Sequence, residues 1–154
     1  MSLNAEVCGL TADSYVTLGE AEKYFAAVRY AAAWNNEDTA GKESALKQAA
    51  REIDIQFRFY GSTFNNEDET ANNFQCRSFP RSYHHDTNNN PYIPIHIKQA
   101  QCEQALHILT RSNEYVKSPD THPSPYFSSR AEKYLQEDID RLLHQRGAYP
   151  WFSV

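Results

Sequence analysis

Several groups of residues in this chain of 154 have types and spacing that could do chemistry. His84-His85-Asp86 sets two imidazoles beside a carboxylate, the material of a metal or acid–base site. A structural zinc site needs about four ligands in tetrahedral array, and no Cys or His lies at complementary spacing. The triplet therefore reads as a solvated polar turn. Cys76 with His84 would make a Cys/His nucleophile pair, which the sequence alone leaves open. Cys102 lies among apolar residues at helical spacing and reads as a small core hydrophobe. The chain has no Gly-rich phosphate loop, no GxSxG and no HExxH. Its five glycines leave little to build a backbone cradle for phosphate. The expectation is a protein that is not an enzyme and holds no metal or cofactor.

Two aromatic segments carry more weight. Phe74, Arg77, Phe79, Arg81 and Tyr83 alternate ring and cation, as in single-strand binders, where bases stack on rings and Arg meets phosphate. Glu67-Asp68-Glu69 lies close by, and no other Lys/Arg cluster extends the track. The plainer reading, an aromatic hairpin packed on helices with Arg at its rim, is preferred. The second segment is the terminal AYPWFSV. Tyr149, Trp151 and Phe152, stiffened by Pro150 and closed by Val154, either cover the chain's own core or anchor it to another protein. Docking is the preferred reading here.

Positioning these segments requires helices. Pro94 fits the first turn of a helix. Behind it Ile95, Cys102, Leu106 and Leu109 recur at helical spacing, with Ile97, Ala105 and Ile108 widening the stripe. That stripe leaves no continuous polar side, so Tyr92–Leu109 is expected to be a central helix. Thr17 and Glu20 spell a capping box, followed by Leu18, Ala21, Phe25, Val28 and Ala32 in a helix to about Ala33. A second helix is expected from Asp38 or Thr39 to about Phe57, burying Leu46, Ala49, Ala50, Ile53 and Phe57. Ser129 to Glu132 reads as another capping box, opening a last helix to about Gly147 with Ala131, Leu135, Ile139 and Leu142 inward. Residues 62–91 are polar and Asn-rich, a long loop or β-hairpin of the kind that is usually functional. Residues 1–16 read as an arm or short strand.

The fold class predicted is mainly α: a small bundle of about four helices with an insertion at 62–91 and extended terminal arms. It forms one domain, with 1–127 as the core and 128–154 as the C-terminal helix and aromatic tail. Composition agrees with a globular chain, 40% hydrophobic and 23% charged. The formal charge of -5 gives no whole-molecule attraction to nucleic acid. Three cysteines without CxxC spacing read as free thiols of a reducing compartment. The opening MSLNAEVCGL lacks the basic and apolar regions of a signal peptide. No run approaches the roughly 20 apolar residues of a membrane span, so no membrane partner is expected.

The order of DSYVTLGEAEKYFAA, KESALKQAAREID, SFPR and IPIHIKQAQCEQAL resembles the bacteriophage DnaT-like single-stranded-DNA-binding family. The resemblance spans roughly residues 13–110. SFPR departs from the family's more usual Trp-Pro-Arg, with Phe79 in the Trp place. In size and layout these proteins are similar to head–tail connector (adaptor, head-completion) proteins of tailed phages. That similarity implies a virion structural protein at the head–tail interface, assembled in the host cytoplasm into a closed ring of about twelve copies. It implies as partners further copies of itself, the portal protein, tail or nozzle proteins, and genomic DNA sliding through the channel without specific binding. Tyr149, Pro150, Trp151, Phe152 and Val154 would then dock on the portal, and Phe74, Arg77, Phe79, Arg81 and Tyr83 would face a neighbouring subunit or the tail. The alternatives are a single-stranded-DNA-binding protein, taking the family at its word, and a tail-completion or tail-terminator protein.

Overall fold

The computed structural model describes residues 2–64, 75–117 and 127–136, with side chains left out at 112–117. The described residues are mainly helical and contain no strand. In chain order come α1 (Leu18–Ala26), α2 (Ala32–Asn35), α3 (Thr39–Gln56), α4 (Ile95–Lys117) and a helix over 129–136, here α5. None is long and apolar enough to cross a membrane.

Local sequence sets the helix starts. Thr17 accepts from the Glu20 amide at 3.2 Å, while Glu20 Oε2 accepts from the Thr17 amide at 2.8 Å, a closed capping box. Asp38 caps α3 through the Gly41 amide at 2.7 Å. The Pro94 carbonyl accepts from the Lys98 amide at 3.3 Å, which makes Pro94 the residue just before α4 rather than its first. Ser128, one residue earlier than expected, caps α5: its hydroxyl accepts from the Ala131 amide at 3.3 Å.

The core has two halves, and α4 is common to both. On one side Cys102, Ala105, Leu106, Ile108 and Leu109 meet Phe25 of α1, Trp34 of α2 and Ala45, Leu46 and Ala49 of α3. On the other, Ile97 and Ala100 meet Tyr15, Ala50, Ile53, Phe57, Phe79, Ala131 and Leu135. Residues 100–106 of α4 are buried without interruption, so helices and loops cover it on all sides.

Three expectations need correction. The first helix does not run to Ala33. It closes at Ala26, and α2 brings Trp34 back to stack on Phe25 with centroids 4.4 Å apart. Continuous helix would separate those residues by about 14 Å along the axis, forfeiting that contact. Ile95 is not core; it is 62% exposed, on the outward side of a first turn whose His96 and Ile97 are buried. The insertion forms no hairpin in its described parts. Only isolated antiparallel bridges, Thr63 with Arg81 and His85 with Pro91, mark its ends. The stretch Ile139 to Gly147 and the tail lie outside the described residues.

Candidate nucleic-acid interface

The segments 57–64 and 75–94 form a layer of irregular chain over one end of α3 and α4. Its organising residue is Arg81, which is buried and spends its guanidinium on backbone carbonyls. Nη2 donates to Phe59 O at 3.0 Å and also to Gly61 O, Nε to Tyr60 O at 3.2 Å and Nη1 to Ser78 O at 3.1 Å. The planar fork of Arg suits this task, since its donors point in several fixed directions at once. The preceding Phe79–Pro80 peptide is cis. Phe79 is buried, edge-on to Tyr15 and Phe59 with centroids 5.7 and 4.4 Å away. Arg77 is also committed: Nη1 lies 3.1 Å from Asp54 Oδ2, and Nε donates to Ala12 O at 3.2 Å.

The alternation of ring and cation is therefore not an outward strip. Arg77, Phe79 and Arg81 hold the layer to the helices, so they are corrected from contact residues to internal ones. Tyr83 is partly exposed, as is Arg77, and lies edge-on to His84 at 4.4 Å. Phe74 lies outside the described residues, as do Tyr149, Pro150, Trp151, Phe152 and Val154.

What the layer does present is a different set of rings. Phe57 and Phe59 turn inward while Arg58 and Tyr60 turn outward, the two-residue period of extended chain. Gly61 follows with φ +76, a conformation costly for other residues; a Cβ there would meet the Tyr83 ring at 3.4 Å. Gly61, next to Tyr60 in the chain, therefore lies close to Tyr83. The Tyr92 amide in turn pairs with the His84 carbonyl at 3.1 Å. Tyr60 is 53% and Tyr92 47% exposed, Tyr83 is partly exposed, and the exposed Arg58 lies two residues before Tyr60. Exposed rings are what sequence-tolerant base stacking needs.

A model of the family described as "Putative DnaT-like ssDNA binding protein" matches residues 7–123. The chain belongs to this family. The match takes in α1 to α4 and the whole irregular layer, beyond the 13–110 of the sequence resemblance. No curated protein and no solved structure matches the chain. The family's description is of a single-stranded-DNA binder, which overturns the head–tail connector reading and with it the portal, the tail and the ring as the basis of function. The connector inference rested on likeness of size and layout, and those properties are shared by many small helical proteins.

Within the His84-His85-Asp86 triplet His84 and Asp86 have structural roles, and His85 is exposed. His84 is buried, and its Nδ1 accepts from the Arg81 amide at 3.2 Å. Asp86 Oδ1 accepts from the amides of Asn88 and Asn90 at 2.8 and 2.9 Å, so the carboxylate closes its own turn. Those amide bonds hold its pKa below the usual carboxylate range. Among the described residues no group of His, Cys, Asp and Glu could hold a metal ion. Cys76 is exposed, whereas burial pushes the Cys102 thiol well above its ordinary pKa.

The sequence reading missed four buried polar residues on α4: His96, Gln101, Glu103 and Gln104. Gln101, with no exposed surface, accepts from the Tyr15 amide at 2.9 Å and donates to Ser14 Oγ at 2.7 Å and Leu46 O at 2.8 Å. Gln104 accepts from the Ser128 amide at 2.8 Å, tying α5 to α4, and donates to Glu52. Glu103 Oε1 accepts from the hydroxyls of Tyr24 and Tyr30, each at 2.5 Å. Burial, and then the hydrogen bond to this carboxylate, raises the pKa of both tyrosines. The signal was present: a helix without a polar side must bury whatever polar residues it carries.

Proposed function

We propose that the chain binds single-stranded DNA and catalyses no reaction. The family match over residues 7–123 carries this reading. Tyr60, Tyr83 and Tyr92 supply the stacking face, and Arg58 supplies a phosphate contact beside it. Arg77 and Arg81 build the platform and do not touch the strand.

Binding of an oligo(dT) of about 20 nucleotides, longer than one typical site, tests the proposal by fluorescence anisotropy at low salt. The wild-type chain is expected to bind. Tyr60→Ala with Tyr92→Ala is expected to weaken binding at least about tenfold, given ~1–3 kcal/mol per stacked base. Both rings are exposed, so the melting temperature should stay within a few degrees of wild type. No binding by the wild-type protein at low salt would overturn the reading. Full binding by the double variant would move the contact elsewhere on the surface.

A further inference from the structure

A cleft of about 530 Å³ opens between α4 and the start of α5, with Tyr30, Glu103, His107, Phe127 and Arg130 among its lining. Its size lies inside the ~300–1,000 Å³ range of small-ligand sites. Glu103 sits in its wall and is 2% exposed. Both tyrosyl hydroxyls meet Oε1; among the described residues Oε2 accepts no hydrogen bond. One helical turn on, His107 Nε2 is buried with no hydrogen-bond partner among the described residues. Buried polar atoms are nearly always paired, so His107 Nε2, one turn from a Glu103 oxygen still able to accept, points to a polar ligand in this cleft. Phe127 adds an apolar surface, held edge-on to Phe57 at 4.7 Å. Tyr30 adds an exposed ring, with the exposed Arg130 guanidinium 3.6 Å from its centroid.

The order of charge selects the ligand class. A cationic side chain would suit Glu103 but meet Arg130 as a like charge. A simple carboxylic acid would suit Arg130 but face Glu103. A nucleotide satisfies both: its base is neutral, planar and bears N–H donors, while its phosphate is anionic. Among the four bases guanine alone sets two adjacent N–H groups on its Watson–Crick edge, matching the lone pairs left on Oε2. Its O6 and N7 are acceptors, and an imidazole N–H at His107 would serve them. We propose that this cleft is a guanine-nucleotide pocket, filled either by a free nucleotide or by one unpaired dG of a bound strand. The strand-borne form rests on the single-strand-binding reading above; the pocket itself does not.

Calorimetric titration of the full chain with dGMP, dAMP, dCMP and dTMP tests the pocket directly. The expected result is dGMP binding at least about tenfold tighter than dTMP, the discrimination of a good base contact. Glu103→Gln should abolish that preference. Because Glu103 is buried, the exposed Arg130→Ala gives a second reading: it should weaken dGMP several-fold and leave guanosine unchanged. Equal affinity for the four nucleotides, or no binding of any, overturns the pocket. In a parallel arm, oligo(dT) carrying one central dG should outcompete plain oligo(dT). A dGMP preference without this dG effect supports the free-nucleotide form and overturns the strand-borne one. Failure of every oligonucleotide to bind overturns single-strand binding, and the dGMP titration then still decides the pocket.

Discussion

Gln101 joins three parts of the molecule through one amide: the N-terminal segment at Ser14 and Tyr15, α3 at Leu46 and α4 itself. Leu has nearly the same volume, so Gln101→Leu removes the hydrogen bonds with little change in packing. It strands the Tyr15 amide in the interior, at a cost of ~1–3 kcal/mol, while the Leu46 carbonyl keeps its bond within α3. A loss of about 2 kcal/mol is expected, read as a lower urea midpoint at unchanged slope. A loss below about 0.5 kcal/mol would mean that the buried network contributes little beyond shape. At this scale the sequence was half legible. Apolar identities placed Leu46, Ala49, Ile53, Cys102, Leu106 and Leu109 inside, where they are. It placed Phe79 in a packed segment but Arg77 and Arg81 at its rim, because a basic-aromatic alternation looks alike whether its cations face water or carbonyls. What consumes the Arg81 guanidinium is backbone at residues 59–61, about twenty positions away, and side-chain type carries no record of that.

The capping box of α1 does more than start a helix. Glu20 Oε1 also lies 2.5 Å from Lys98 Nζ, so the first turn of α1 is tied to the first turns of α4. Burial by itself would raise the Glu20 pKa; the Lys98 and Thr17 hydrogen bonds outweigh it and hold the group below the ordinary carboxylate value. A pKa depressed in the folded state means stability that is complete above the unfolded-state value and lost as pH falls through the folded-state one. Glu20→Gln keeps the box, since Gln also serves at that position, and loses only the charge. Thermal melts should show a small deficit at pH 7, within the ~1 kcal/mol of exposed pairs. The wild-type and variant curves should converge in acid, below the folded-state pKa of Glu20. A deficit that persists there would assign the effect to geometry rather than charge. Among elements, caps and apolar periods were the legible part: Thr17, Asp38 and the α4 stripe stand where their residue types place them. The break after Ala26 was not, because its cause is Trp34 stacking on Phe25, a contact between two positions that each look helical on their own.

At the scale of the whole molecule, a formal charge of -5 opposes approach to DNA. Among the described cations Arg77 and Arg81 are spent inside, and Lys42, Lys47, Lys98 and Arg111 stand in ion pairs with Glu22, Asp13, Glu20 and Glu52. Of the other described cations only Arg58 lies in the segments 57–64 and 75–94 that carry the tyrosines. Counterion release from a single strand contributes a slope of about −0.7 in log affinity against log salt for each phosphate neutralised. With Arg58 and one or two further cations at the tyrosine face, a slope no steeper than about −2 is expected. Added salt also screens the repulsion between an acidic protein and DNA, which flattens the dependence further. Affinity should then be carried by stacking, and Arg58→Gln should flatten the slope by about 0.7 while Tyr60→Ala lowers affinity at every salt concentration. An oligo(dT) titration at several ionic strengths measures both. A slope steeper than about −4 would require a phosphate track that the tyrosine face does not possess, and would place the strand on another surface of the molecule.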